Sequence, residues 1–78
     1  MKLTVIIPVF NEQKTIKESI REVLSQSAVD RILIVDDGST DKTPEILGSI
    51  TSNKIKVITH DKNLGKGSAL RTGFSKVG

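Results

Sequence analysis

Two adjacent carboxylates, Asp36 and Asp37, stand where the apolar run Ile32-Leu33-Ile34-Val35 ends in this 78-residue chain. Side chains alternate along an extended backbone, so the two acids are expected to point to different sides of a sheet edge rather than form a carboxylate dyad. One would accept hydrogen bonds from a ligand; the other would accept from backbone N–H groups and hold the turn at Gly38. Their strand-end position is expected to leave both in water. The alternative is that both are solvated turn residues, since Asp-Gly is ordinary turn chemistry.

A second candidate group is the glycine-flanked cation in Gly65-Lys66-Gly67. Flexible glycines, a cation and a following helix N-terminus are typical of a phosphate cradle. The segment is not a Walker loop, because that motif requires glycine five residues before its Gly-Lys pair and the chain has His60 there. No G-x-G-x-x-G follows the first apolar run, so a dinucleotide site has no fingerprint. The alternative for Lys66 and Arg71 is a solvated basic face.

Other polar residues near these runs have simpler interpretations. Asp41 and Thr43 fall in the first turn of a predicted helix, where acids and hydroxyls usually cap and complement the helix dipole. Glu12 has the same explanation, although its position also places it in the expected crevice. We expect His60 to be a strand-end residue without a special role, and Phe74 to be a core residue.

The elements that must position these groups follow from the apolar spacing. Asn11 is predicted to cap the first helix, and Pro44 suits the first turn of the second. Strands separated by helices of this length imply a parallel sheet with right-handed crossovers, so the fold class is α/β, Rossmann-like, in the order βαβαβα. Ligands of such sheets bind beyond the carboxyl ends of the strands. Strands are predicted at 3–9, 32–35 and 54–59, and helical spacing at 16–24, 46–50 and 69–77.

Composition narrows the function classes. Twelve Lys and Arg against nine Asp and Glu give a net charge of +3, which suits a small anionic ligand and falls short of a nucleic-acid footprint. The chain has two phenylalanines and no Trp or Tyr, so nucleic acid is not an expected partner. Cysteine is absent and histidine occurs once, which excludes Cys- or His-based metal clusters. The first apolar run has no cleavage site after it and is interpreted as a strand, which favours a cytoplasmic protein.

Three segments, in this order, resemble the N-terminal part of inverting family 2 glycosyltransferases, which have a GT-A fold and use nucleotide-sugar donors. The third segment is most similar to dolichyl- and polyprenyl-phosphate mannosyl- or glucosyltransferases. The segments are Val5-Ile6-Ile7-Pro8-Val9-Phe10-Asn11-Glu12, Ile34-Val35-Asp36-Asp37-Gly38-Ser39-Thr40-Asp41-Lys42-Thr43 and Asn63-Leu64-Gly65-Lys66-Gly67-Ser68-Ala69-Leu70-Arg71-Thr72-Gly73.

The resemblance implies a three-layer arrangement with strand order 3-2-1 and a pocket for a GDP- or UDP-linked sugar. Asp37 is the stronger of the two acids for a contact to the base or ribose, and Lys66 is the stronger of the two cations for a contact to the nucleotide. The implied donor-binding residues are Pro8, Phe10, Asn11, Glu12, Asp36, Asp37, Lys66 and Arg71.

In the family, the metal-binding Asp-x-Asp motif and the catalytic base lie beyond the part that matches. Residues 1–78 are therefore expected to be the nucleotide-sugar-binding part of a truncated glycosyltransferase domain, with no catalytic or metal-binding residue and no activity alone. The implied full-length enzyme would transfer a hexose to an acceptor such as a polyprenyl phosphate at the cytoplasmic membrane face, with Mg²⁺ or Mn²⁺. An exposed edge at residues 3–9 would favour a homodimer, by edge pairing or by exchange of an element.

Two other interpretations remain open from the sequence. Arg31 to Asp37 also resembles the first strand and acid pocket of a response-regulator receiver domain, a signalling module. A receiver would begin near this strand and carry its phosphoacceptor at the end of a later one, where Asp61 is the candidate. The remaining alternative is an α/β scaffold without a ligand.

Overall fold

A computed structural model describes residues 3–77 of the chain, and these form strands and helices in strict alternation. The strands are β1 (Leu3–Val9), β2 (Val29–Asp36) and β3 (Ile55–Thr59). The helices are α1 (Ile16–Leu24), α2 (Thr43–Gly48) and α3 (Lys66–Val77). The predicted α/β order is confirmed, and β1 has the predicted bounds.

The strands form one parallel sheet in the order β1-β2-β3, with β2 in the centre. This confirms the expected 3-2-1 order. Consistent with its central place, β2 is buried over most of its length, and it begins three residues before the predicted run. Within residues 3–77, β1 pairs on one side alone, so Pro8, which lacks an N–H, lies in an edge strand where that loss is tolerated.

Helices lie on both faces of the sheet, which gives the three layers, although Lys56, Val57 and Thr59 of β3 remain exposed. On one face, Val9 and Ile34 pack with Ile16 and Ile20 of α1 and Leu47 of α2. The apolar residues whose spacing predicted α1 therefore form its buried side.

The other face of the sheet carries α3, which approaches through small residues. Ala69 and Gly73 are buried, and a Cβ on Gly73 would lie 2.5 Å from Cγ2 of Ile6. Phe74, expected in the core, is 69% exposed. That prediction is wrong because Gly73 occupies the position closest to β1, which turns the neighbouring Phe74 away from the sheet. Within the described part of the chain, no helix has the length and apolar character needed to span a bilayer.

Candidate nucleotide site at the carboxyl edge of the sheet

The three candidate loops meet at one rim, because the strands that lead into them are parallel. The N–H of Asp37 donates to the carbonyl of Val9 at 2.8 Å, and the N–H of His60 donates to the carbonyl of Asp36 at 2.8 Å. These bonds continue the sheet ladder beyond the strand ends. They hold the starts of the loops after β1, β2 and β3 side by side, as the sequence predicted.

Asp36 closes the turn that follows β2. Its Oδ1 accepts from the N–H of Ser39 at 3.1 Å and from the Ser39 hydroxyl at 2.6 Å. The side chain is fully buried, and its Oδ2 has no hydrogen-bond partner among residues 3–77. Asp36 therefore shapes the loop from within.

Asp37 clamps the loop before α3 to the end of β2. Its Oδ1 accepts from the N–H of Leu64 and from Nδ1 of His60, and its Oδ2 accepts from the N–H of Gly65, each at 2.9 Å. The hydrogen bond from His60 and those from the two backbone N–H groups hold the pKa of this carboxyl below its usual value, against the opposing effect of burial. Asp37 is therefore an ionised acceptor at neutral pH.

The expectation that both acids would lie in water is wrong. Asp36 and Asp37 are 0% and 3% exposed. The reason is Gly38, which has φ of +75° and lets the backbone of Lys62 and Asn63 cross directly over it. The N–H groups of Leu64 and Gly65, which follow this crossing, take the place of water at Asp37, while Ser39 of the same loop donates to Asp36.

His60 has a role that the sequence interpretation missed. Its Nδ1 lies 2.9 Å from Oδ1 of Asp37 and its Nε2 lies 2.8 Å from Oγ1 of Thr72 on α3. The side chain is 10% exposed. The signal was the parallel register: Asp36 is paired with Thr59, which sets His60 beside Asp37 at the next position.

Asn11 ties the first loop to the second and does not cap α1. It has φ of 50°, and its Oδ1 accepts from the N–H groups of Thr40 and Asp41 at 2.7 and 3.2 Å. The predicted N-cap is wrong because α1 begins at Ile16, whose N–H bonds to the carbonyl of Glu12 at 2.9 Å. An intervening turn over residues 13–15 separates Asn11 from the helix.

Asp41 and Thr43 divide the capping role expected of them. Oδ1 of Asp41 accepts from the N–H of Thr43, the first residue of α2, at 2.8 Å, and its Oδ2 accepts from the N–H of Gln13 at 3.2 Å. Burial, the largest single influence, raises the pKa of Asp41, but the hydrogen bonds from Thr43 and Gln13 together outweigh it and leave the pKa below its usual value. The hydroxyl of Thr43 instead accepts from the N–H of Glu12 at 3.0 Å, so it joins the same tie between loops.

A cavity of about 310 Å³ opens between the first and third loops. It brings together five of the eight sequence-predicted residues. Asn11, Asp36 and Arg71 lie outside its lining. The lining residues are Pro8, Val9, Phe10, Glu12, Asp37, Asn63, Gly65, Lys66 and Ala69.

The cavity wall combines an aromatic ring, a cation and hydrogen-bond acceptors. Phe10 is 44% exposed and offers an aromatic ring, while Lys66 begins α3, whose first turn contains no acid. The free N–H groups of a helix N-terminus and a lysine favour an anion. Glu12 and Asp37 supply acceptors to the same space. The combination suits a ligand with a flat ring, hydrogen-bond donors and negative charge.

A second cavity, of about 280 Å³, lies at the opposite end of the strands. Four cations border it, Arg31, Lys54, Lys56 and Lys76, together with Val77. None of the sequence-predicted site residues lines it. The carboxyl edge is the better candidate, since loops and a helix N-terminus meet there.

Comparison with known proteins shows which family this chain resembles. The model of glycosyl transferase family 2 matches residues 4–78. The chain is 34% identical to undecaprenyl-phosphate 4-deoxy-4-formamido-L-arabinose transferase of Sodalis glossinidius, over 97% of this chain and 26% of that protein. It is 35% identical to dolichyl-phosphate beta-glucosyltransferase of Homo sapiens, over 94% of this chain and 26% of that protein.

A further relative is an uncharacterized protein of Methanocaldococcus jannaschii, which is 40% identical over 94% of this chain and 28% of its own length. The chain thus spans about a quarter of the length of the curated relatives it matches. The family match covers almost all of the residues whose geometry is described above, including the three loops at the sheet edge. The chain belongs to glycosyl transferase family 2.

Proposed function

We propose that this chain is the donor-recognition part of a glycosyltransferase that moves a hexose, mannose or glucose, from a GDP- or UDP-linked sugar to a polyprenyl phosphate. The observation that carries the proposal is the cavity at the carboxyl edge, where Phe10, Asp37 and Lys66 face one space. The ring of Phe10 suits the base of such a donor, and the ionised carboxylate of Asp37 suits a ribose hydroxyl or a base N–H. The ammonium of Lys66 suits the diphosphate. The family supplies the reaction type.

The acceptor capacity of Asp37 supports a nucleoside contact. A carboxylate has about four lone-pair positions. His60 and Leu64 use both positions of Oδ1, and Gly65 uses one of Oδ2. One position of Oδ2 is left, and Asp37 lines the cavity, which suits a single N–H or O–H donor from the ligand.

Phe10 and Lys66 would bind the two ends of the same ligand. Stacking of a base on an aromatic side chain is worth roughly 1–3 kcal/mol. Lys66 stands at the N-terminus of α3, where both its ammonium and the helix dipole favour a diphosphate. Pro8 and Glu12 complete the wall beside Phe10.

The proposed acceptor and metal are supported by the family and its named members, not by the described residues of this chain. The names of two relatives contain undecaprenyl phosphate and dolichyl phosphate, which supports a lipid phosphate acceptor at a membrane surface for the whole enzyme. The divalent cation expected of that enzyme does not fit the described residues, since residues 3–77 hold no group of three His, Cys, Asp or Glu suited to a metal. No step of the transfer is assigned to this chain, and we propose that it is inactive alone.

Calorimetric titration with UDP and GDP tests donor recognition. Phe10→Ala should weaken binding by roughly 5- to 150-fold, the equivalent of a lost stacking interaction. Phe74→Ala is its matched control, because Phe74 is the other aromatic residue and lies outside the cavity. Lys66→Gln should weaken the diphosphates more than the free nucleosides, with Lys62→Gln as control.

Two results would refute the proposal. One is no heat of binding with either diphosphate. The other is an equal loss of nucleotide affinity in Phe10→Ala and Phe74→Ala, which would show that binding does not depend on the cavity. The expected inactivity is checked by incubating the chain with nucleotide sugar and polyprenyl phosphate; product above the blank would overturn that part.

A further inference from the structure

His60 has a place in this site that donor binding alone does not explain. Its ring is almost enclosed, and both ring nitrogens are engaged, one with Asp37 and one with Thr72. We propose that His60 is a positioning residue of the cavity: it fixes the Asp37 carboxylate and the seat of α3 against β2. Its effect on nucleotide affinity rests on the proposed function, whereas its effect on the loop does not.

The hydrogen-bond partners determine where the ring carries its proton. An ionised Asp37 carboxylate can only accept, so Nδ1 of His60 must be the donor in that 2.9 Å contact. In the neutral ring Nε2 is then bare and accepts, and the Thr72 hydroxyl donates to it across 2.8 Å. The geometry therefore selects the Nδ1–H tautomer.

This arrangement leaves the Asp37 carboxylate no freedom to rotate. Oδ1 is held between His60 and the N–H of Leu64, while Oδ2 is held by the N–H of Gly65. The remaining acceptor position of Oδ2 is consequently aimed in one direction. Loss of the hydrogen bond from His60 would let the carboxylate rotate, so its remaining acceptor position would no longer have one fixed direction.

The same ring also holds α3 in place. Gly65, bound by Asp37, immediately precedes α3, and Thr72 lies in the middle of that helix. The helix is thus attached to the end of β2 at two points, directly through Asp37 and indirectly through His60. Lys66 and Ala69, which lie between these points, line the cavity. A shift of α3 would move both of them.

Nitrogen-15 spectra of the His60 ring at pH 8 test the geometry without any substitution. We expect a protonated Nδ1 and a bare, hydrogen-bonded Nε2. Thr72→Val, which removes the hydroxyl and keeps the branched shape, should shift the Nε2 resonance and the amide resonances of Leu64 and Gly65. Thr72→Ser should restore them, which a merely space-filling role would not require.

Nucleotide affinity tests the consequence for the cavity. Thr72→Val should weaken UDP or GDP binding about fivefold, as expected for one lost hydrogen bond, and Thr72→Ser should recover most of it. A ring protonated on Nε2, or Leu64 and Gly65 resonances unmoved by Thr72→Val, would overturn the inference. Wild-type binding that Thr72→Val leaves unchanged would overturn its affinity part. A wild-type chain that binds no nucleotide would instead refute the proposed function, and the ring tautomer would still decide the role of His60.

Discussion

Replacement of Gly38 by alanine should be among the most damaging single substitutions in this chain. Gly38 has φ of +75°, which costs an alanine roughly 1–2 kcal/mol. The new Cβ would also lie 2.4 Å from the carbonyl carbon of Lys62 and 2.5 Å from the nitrogen of Asn63. Ordinary contact begins at 3.4 Å, so this backbone must retreat by 1.0 Å, the difference between 3.4 and 2.4.

That retreat would break the clamp on Asp37. The bonds from the N–H groups of Leu64 and Gly65 are 2.9 Å long, and a displacement of about 1 Å carries them beyond hydrogen-bond distance. Overpacking of this kind costs a further 1–3 kcal/mol, roughly. A domain of this size is stabilised by roughly 4–12 kcal/mol in total, so Gly38→Ala should remove a large part of its free energy of unfolding.

Urea unfolding followed by far-ultraviolet circular dichroism measures this cost against two matched glycines. Gly65 has φ of +95°, and a Cβ added to it would meet nothing within 4 Å, so Gly65→Ala isolates the backbone strain. Gly48→Ala has neither strain nor contact and should be neutral or slightly stabilising. Equal losses in Gly38→Ala and Gly65→Ala would refute the close crossing of residues 62–63 over Gly38.

Three other predictions concern pH, packing and association. Because the folded-state pKa of Asp37 lies below its value of 3.8 in the unfolded chain, its contribution is complete above pH 3.8 and is lost as pH falls through the folded-state value. Asp37→Asn should therefore be less stable than the wild type at pH 5, with the gap closing in more acidic solution; a gap independent of pH would contradict this. Because Phe74 is exposed, Phe74→Gln should change the free energy of unfolding by less than about 0.5 kcal/mol. Leu47 is buried, so Leu47→Ala should cost about 2–5 kcal/mol in the same urea assay. Similar losses in the two variants would contradict the packing of α3. The edge of β1 (Leu3–Val9) that has no strand partner among residues 3–77 should drive pairing of two copies at high concentration, and a strictly monomeric light-scattering mass at every concentration would count against it.

The sequence predicted the elements whose burial leaves a clear pattern. β1 was located to the residue because its run rich in Val and Ile starts after Lys2 and is followed closely by Asn11 and Glu12. The stripe of Ile16 and Ile20 identified α1 because an amphipathic helix repeats its buried side. Parallel strands then required the three loops to share one edge, and that is where the structure has them.

The missed features depend on contacts between segments distant in the chain. Phe74 is exposed because Gly73 touches Ile6, a contact that no local pattern encodes. The burial of Asp37 depends on the later loop that crosses Gly38, and the role of His60 depends on the register of β3. Asn11 satisfies a second loop and not its own helix, which the preference of asparagine for caps could not reveal.

The most direct test of donor recognition is an amide-NMR titration of the chain with UDP and GDP. We propose that the donor binds the cavity at the carboxyl edge, so the largest shifts should fall at residues 9–12, 37 and 63–69. Shifts concentrated instead at Arg31, Lys54, Lys56 and Lys76, around the cavity at the opposite end of the strands, would contradict it.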